Sequence, residues 1–144
     1  MRGGMHFARV NHGAMIVLDA SVVVELLINS PLGKALKRNL ADRDDACIVP
    51  HLLDVEVMSA IRRMVAGRRL DSYRSAHLLT ALSALPAERF GHTPLLARMW
   101  ELRHKFTAYD AVYIALAEAT NSVLYTCDEK MAKGHRARVV LFTS

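Results

Sequence analysis

Residues 107–128 read TAYDAVYIALAEATNSVLYTCD. Over 107–119, Ala and large apolar side chains occupy nearly every side of a 3.6-residue period, which predicts a helix in the middle of a fold. Residues 122–126 then form a short apolar run, predicting a buried strand with Asp128 just past its end. The same alternation extends back to the N-terminus. MIVL at 15–18 predicts a strand and 21–27 the helix after it, with a more polar helix at 33–40. CIV at 47–49, before Pro50, predicts a second strand, and 52–66 a helix stopped by Gly67. Residues 71–85 predict a helix closed by Pro86, and 94–104 another with Leu95, Met99 and Leu102 on one face. A short helix at 129–133 and a strand at 138–142 complete the series. Apolar strands separated by helices predict an α/β fold of three layers, α/β/α, around a mostly parallel central sheet.

A length of 144 residues suits one domain, expected over residues 15–144. Chains of this size bury about 68–70% of their unfolded surface, so neither a disulfide nor zinc is needed for a core. The preceding MRGGMHFARVNHGA, residues 1–14, is polar and glycine-rich and reads as an extension, with Met15 an alternative start. With 52% hydrophobic and 23% charged residues the chain is neither disordered nor a coiled coil. Nineteen Lys and Arg against 14 Asp and Glu give a net charge of +5, which favours an anionic partner such as nucleic acid or an acidic protein segment. The longest apolar run, 15–28, is broken by Asp19 and Glu25, which excludes a membrane span or signal peptide there; a cytoplasmic location is expected. Cys47 and Cys127 form no C-x-x-C pair and read as buried thiols.

Parallel α/β folds place their chemistry at the carboxyl ends of the strands. Four acids are expected there. Asp19 follows the first predicted strand, Glu56 lies in the first turns of the helix after Val49-Pro50, Asp110 in the first turn of the central helix, and Asp128 after the third predicted strand. Converging carboxylates raise one another's pKa, and a bound cation resolves the repulsion. An all-oxygen set suits Mg²⁺ or Mn²⁺, which could activate water for phosphodiester hydrolysis. Ser21 and Thr126 are candidates to hold a water or orient an acid. Each acid also has an ordinary reading. Asp19 and Asp128 suit helix N-caps, Thr107 with Asp110 fits a capping box, and Glu56 could be a surface acid competing with Asp54. Two residues apart on a helix, only one of Asp54 and Glu56 can face a pocket.

At these residues the sequence resembles the PIN-domain nucleases, and among them the VapC toxins of bacterial toxin–antitoxin pairs. MIVLDASVVVELL, VPHLLDVEVMSAIRR, RMWELRHKFTAYDAVYIALAEA and LYTCDEKMA are similar to the family's four motifs in order, and place its four acids on Asp19, Glu56, Asp110 and Asp128. Lys105 departs from the Asn that often precedes the TAYDA segment. The resemblance implies a Mg²⁺- or Mn²⁺-dependent endoribonuclease cutting structured cellular RNA, a PIN-like fold, a small VapB-like antitoxin partner and a homodimer.

An acidic site repels RNA, so phosphate-binding cations are expected around it, and most of the cations here are Arg, suited to bidentate phosphate contacts. Candidates are Arg62, Arg63, Arg68, Arg69, Arg98, Arg103, Lys105, Lys130 and Lys133, each of which could instead belong to a solvated helix face. Trp100 and Tyr109, at helical spacing, read as core, with base stacking the alternative. Met58, Met64, Met99 and Met131 read as core filling or a partner groove, and residues 70–85 as a dimer face or a clasp for an antitoxin helix. Two other classes remain open: a non-catalytic module binding RNA or antitoxin, and a phosphoacceptor or phosphatase domain. The second is disfavoured because Ser21 stands where a D-x-D pair would need a second Asp.

Overall fold

The computed structural model describes residues 14–143; the expected extension at 1–14 lies, but for Ala14, outside the described residues. Five strands, β1 (Met15–Leu18), β2 (Ala46–Pro50), β3 (Ala87–Phe90), β4 (Val123–Thr126) and β5 (Arg138–Leu141), form one sheet in the order β3-β2-β1-β4-β5. Every neighbouring pair is parallel. Among the described residues, six α-helices cover it: α1 (Ala20–Ile28), α2 (Pro31–Ala41), α3 (Leu52–Ala66), α4 (Ser72–Ser83), α5 (Leu96–Glu101) and α6 (Ala108–Thr120). This is the three-layer α/β/α arrangement, with a fully parallel sheet. No described helix is long and apolar enough to cross a membrane.

α6 lies against β1, β2 and β4, as the pattern of residues 107–119 requires, and its residues Ala111 to Ala117 are all buried. The helices begin where the sequence supplies caps. The Asp19, Ser30, Asp71 and Thr107 side chains accept the N–H of Val22, Gly33, Arg74 and Asp110 at the starts of α1, α2, α4 and α6. Asn29 and Asn121 end α1 and α6 in the left-handed region. Between α1 and α2 the backbones meet so closely that a Cβ on Gly33 would stand 2.0 Å from the Glu25 carbonyl oxygen, so only glycine fits.

Three expectations are corrected. The sheet has a fifth strand, β3, whose sequence AERF shows no apolar run because it sits at the edge. Its Arg89 pairs with Asp54 at 2.9 Å and donates to the carbonyls of Leu82, Leu85 and Ala87, tying the strand to α3 and the end of α4. Asp128 therefore follows the fourth strand. The helix expected at 94–104 is a 3-10 turn, Thr93–Leu95, followed by the short α5, and the one at 129–133 is a single 3-10 turn, Glu129–Met131, anchored by buried Met131.

Candidate functional site

In the strand order β3-β2-β1-β4-β5, connections run to opposite sides on leaving β1, opening a crevice at the carboxyl ends of β1 and β4. Asp19 and Asp128 stand at its two sides. Asp19 is 5% exposed, yet it is not merely a cap. Beyond the Val22 N–H, its Oδ1 accepts the Ser21 hydroxyl at 2.6 Å and its Oδ2 accepts the Thr126 hydroxyl. Each hydroxyl in turn accepts a backbone N–H at the exit of β4: Ser21 from Cys127 and Thr126 from Asp128, both at 3.0 Å. Ser21 and Thr126 thus stitch the segment after β1 to the segment after β4 through the two oxygens of Asp19.

α3 and α6 bring in the other two acids. Asp54 and Glu56 point apart, as their spacing demands: Asp54 pairs with Arg89, while Glu56 Oε1 accepts the buried Tyr113 hydroxyl from α6. Asp110 lies one turn before Tyr113 on the same helix face, its N–H capped by Thr107. Burial raises Asp19 above the ordinary carboxylate range against the pull of its three donors, and the charge of Asp128 adds to the rise. Burial also raises Glu56, with Asp110 and Asp19 pushing further and Tyr113 and Arg63 opposing. Asp110 is raised by burial and by Asp128, opposed by Lys130 and Thr107. Burial, then the bond to Glu56, keeps Tyr113 protonated far above its ordinary range. The four expected acids therefore act on one another across a common space.

Beside them runs a cleft of about 900 Å³ lined by Ser21, Glu56, Arg63, Tyr109, Cys127 and Phe142, among others. Among the described residues no three His, Cys, Asp or Glu side chains are drawn together tightly enough to enclose an ion. The donor set nonetheless fits a hard divalent cation: it is all carboxylate oxygen, one member, Glu56, lines the cleft, and three of its members are held at raised pKa partly by one another's charge.

The expected cations divide. Arg63, seven residues after Glu56 and so on the same face of α3, lines the cleft. Lys130 Nζ lies 3.7 Å from Asp128 and acts on Asp110. Lys133 and Lys105 are exposed, and Lys105 packs beside Gly134. Arg103 stacks on Trp100 at 4.4 Å, and Arg62 is exposed on α3, off the face of Glu56. Arg68 and Arg69 follow the far end of α3, whose last residue, Ala66, lies about 15 Å along the helix axis from Glu56 at 1.5 Å per residue. Arg98 is a correction: it pairs with Glu118 at 2.7 Å and with Glu101, near the entry of β4 on the opposite edge of the sheet. Although burial opposes it, that pairing holds Glu118 below its ordinary range.

The aromatic expectation is also corrected. Trp100 is 67% and Tyr109 61% exposed: α5 is too short to bury its outer face, and Tyr109 precedes the point where α6 enters the core. Met58 is exposed, Met64 and Met99 are half-buried and Met131 is buried. Cys47 and Cys127 are half-buried free thiols. The sequence reading missed Tyr113, absorbed into an apolar helix; its place three residues after Asp110 was the available signal.

The PIN domain family matches residues 16–136. Ribonuclease VapC12 of Mycobacterium tuberculosis is 37% identical over 129 residues, covering 88% of this chain and 98% of that protein. Ribonuclease VapC1 of the same organism is 38% identical over 117 residues, covering 81% of this chain and 87% of that protein. Among solved structures, PAE2754 from Pyrobaculum aerophilum superposes with a TM-score of 0.69 at 20% identity, covering 88% of this chain and 83% of that one. VapBC2 from Rickettsia felis, bound to a DNA fragment from its promoter, gives 0.68 at 13% identity, covering 89% and 98%. At those identities the two structures speak for the fold.

Proposed function

The chain belongs to the PIN-domain family, with VapC ribonucleases among its relatives, and from that premise we propose that it is a metal-dependent endoribonuclease, the toxin of a toxin–antitoxin pair. The observation that carries this is that Asp19, Glu56, Asp110 and Asp128, from four separate chain segments, act on one another at the carboxyl edge of the sheet, the first three with raised carboxyl pKa values and Glu56 lining the cleft. These four side chains would hold Mg²⁺ or Mn²⁺, which when bound supplies Lewis acidity, making water a nucleophile at neutral pH and offsetting phosphoryl charge.

The protein's own groups do the rest. Ser21 and Thr126 fix both oxygens of Asp19, so this carboxylate meets the substrate side in one orientation. Arg63 and Lys130 counter the negative field of the acids at the cleft and draw in a phosphodiester. Water attacks phosphorus and the bond to the 3′ oxygen breaks, leaving a 5′-phosphate and a 3′-hydroxyl without use of the ribose 2′-hydroxyl. Structured cellular RNA is the substrate of this reading, a VapB-like antitoxin its partner and a homodimer its assembly; the VapC relatives at 37% and 38% identity support the toxin side of that pair.

The test is induction of the wild type, Asp19→Asn and Asp110→Asn, with sequencing of new RNA ends within minutes. Ends bearing a 5′-phosphate, produced by the wild type alone, are expected. A 2′,3′-cyclic phosphate product, or cleavage retained in both variants with contaminating nuclease excluded, sinks the assignment. Purified Asp110→Asn should remain folded, because removing a like charge relieves the metal-free site.

A further inference from the structure

Glu56 is the acid with the longest side chain of the four, with one more torsion to order than any Asp, and it is half-exposed beside the cleft. One bond holds it: the Tyr113 hydroxyl donates its single proton to Oε1. Oε2 accepts no hydrogen bond from any described residue. Tyr113 itself is 2% exposed and rooted in the stretch of α6 that is buried on every side, so the phenol is a rigid post. It stands one turn after Asp110 on the same helix face, so one helix presents one acid and clamps a second.

We propose that Tyr113 is a positioning residue for Glu56, fixing the carboxylate so that Oε2 alone is offered to a divalent cation and to the reacting centre; this rests on the nuclease reading above. Without the phenolic proton the carboxylate rotates freely, and the cation site must order it on binding. Residues that orient ligands in this way typically change metal affinity or activity by about 10- to 100-fold when removed.

The experiment compares Tyr113→Phe with the wild type, and Glu56→Ala with the double variant, by calorimetric titration with Mn²⁺ and by cleavage of one RNA. Phe keeps the ring and its packing. Tyr113→Phe is expected to weaken Mn²⁺ binding and lower kcat by about tenfold or more, with KM for RNA unchanged, and to have no further effect once Glu56 is Ala. Unchanged Mn²⁺ affinity and kcat, or an equal loss in both backgrounds, overturns the positioning role. A wild type that neither binds Mn²⁺ nor cleaves RNA overturns the nuclease reading and this inference with it, whereas a working wild type matched by Tyr113→Phe overturns the inference alone.

Discussion

Replacing Thr126 by Val tests the hydroxyl stitch beneath the acids. Thr126 is fully buried, and Val has nearly its shape and strand preference, so β4 and its packing are kept. Two bonds go: the hydroxyl no longer donates to Asp19 Oδ2, and the Asp128 N–H loses its acceptor. A hydrogen bond to a charged group contributes about 1.5–3 kcal/mol, and a buried donor left unpaired costs about 1–3 kcal/mol. The Asp128 N–H is only partly buried, so the lower figure applies to it. The sum is about 3 kcal/mol, or on the order of 10 °C in Tm for a chain of this size. The loss should depend on pH. Burial lifts Asp19 above its ordinary 3.8 while the Thr126 hydroxyl pulls it down, so removing that hydroxyl lifts it further. A carboxyl raised in the folded state loses stability as pH climbs from the unfolded value through the folded one, because the unfolded chain ionises first. At the acid end Asp19 is protonated in both folded proteins, and the variant forfeits a neutral bond of about 1 kcal/mol in place of the charged one, the cost at the Asp128 N–H being the same at every pH. The difference then grows with pH, reaching its full value above the variant's folded pKa. Urea denaturation followed by circular dichroism, with chelator present, at pH 8 and at the lowest pH where both proteins fold, measures it. A loss at pH 8 below about 0.5 kcal/mol, within the range of an ordinary surface change, or one larger in acid than at pH 8, refutes the reasoning.

Gly33→Ala should destabilise, although the same change in an open helix stabilises by roughly 0.5–1 kcal/mol: the new methyl lands on the Glu25 carbonyl and must force α1 from α2, costing about 1–3 kcal/mol. A variant that denatures at higher urea than the wild type contradicts that packing. RNA binding by the inactive Asp19→Asn protein should weaken with Arg63→Ala, and the slope of log affinity against log salt should fall by about 0.7–0.9 for each phosphate no longer neutralised. Arg98→Ala should leave binding untouched and lower Tm, because Glu118 loses its guanidinium partner; equal effects of the two on RNA affinity remove Arg63 from the cleft.

Apolar runs made β1, β2 and β4 legible, because a strand covered on both faces has to be apolar throughout, and β5 keeps enough of that pattern at one edge to be found. β3 does not. It lies at the other edge, carries Glu88 and Arg89, and is held in part by what Arg89 does at long range, pairing with Asp54 35 residues earlier, while the same side chain collects the nearby carbonyls of Leu82, Leu85 and Ala87. No window of local pattern contains that information. The same limit applies to Trp100 and Tyr109, whose helical spacing suits a core that α5 is too short to provide.

The acids were legible for a different reason: topology fixes their edge before any side chain is considered. A residue just past a parallel strand, or in the first turn of the next helix, must lie at the carboxyl edge; Asp19, Asp110 and Asp128 occupy such positions, and Glu56 follows at the start of the second turn of α3. What sequence position does not convey is orientation. Asp19 would satisfy its cap with one oxygen; that its second oxygen takes a hydroxyl 107 residues away follows only from β1 and β4 lying side by side. Glu56 and Asp54 are equivalent in composition and differ by two positions, so the helix period says that one of them turns inward without saying which. Arg89 decides it, by occupying Asp54, and Tyr113 completes it, by holding Glu56. The edge strand that the pattern missed is thus part of the reason that the right carboxylate faces the cleft, and a change at Arg89 should be felt at Glu56 although the two never touch.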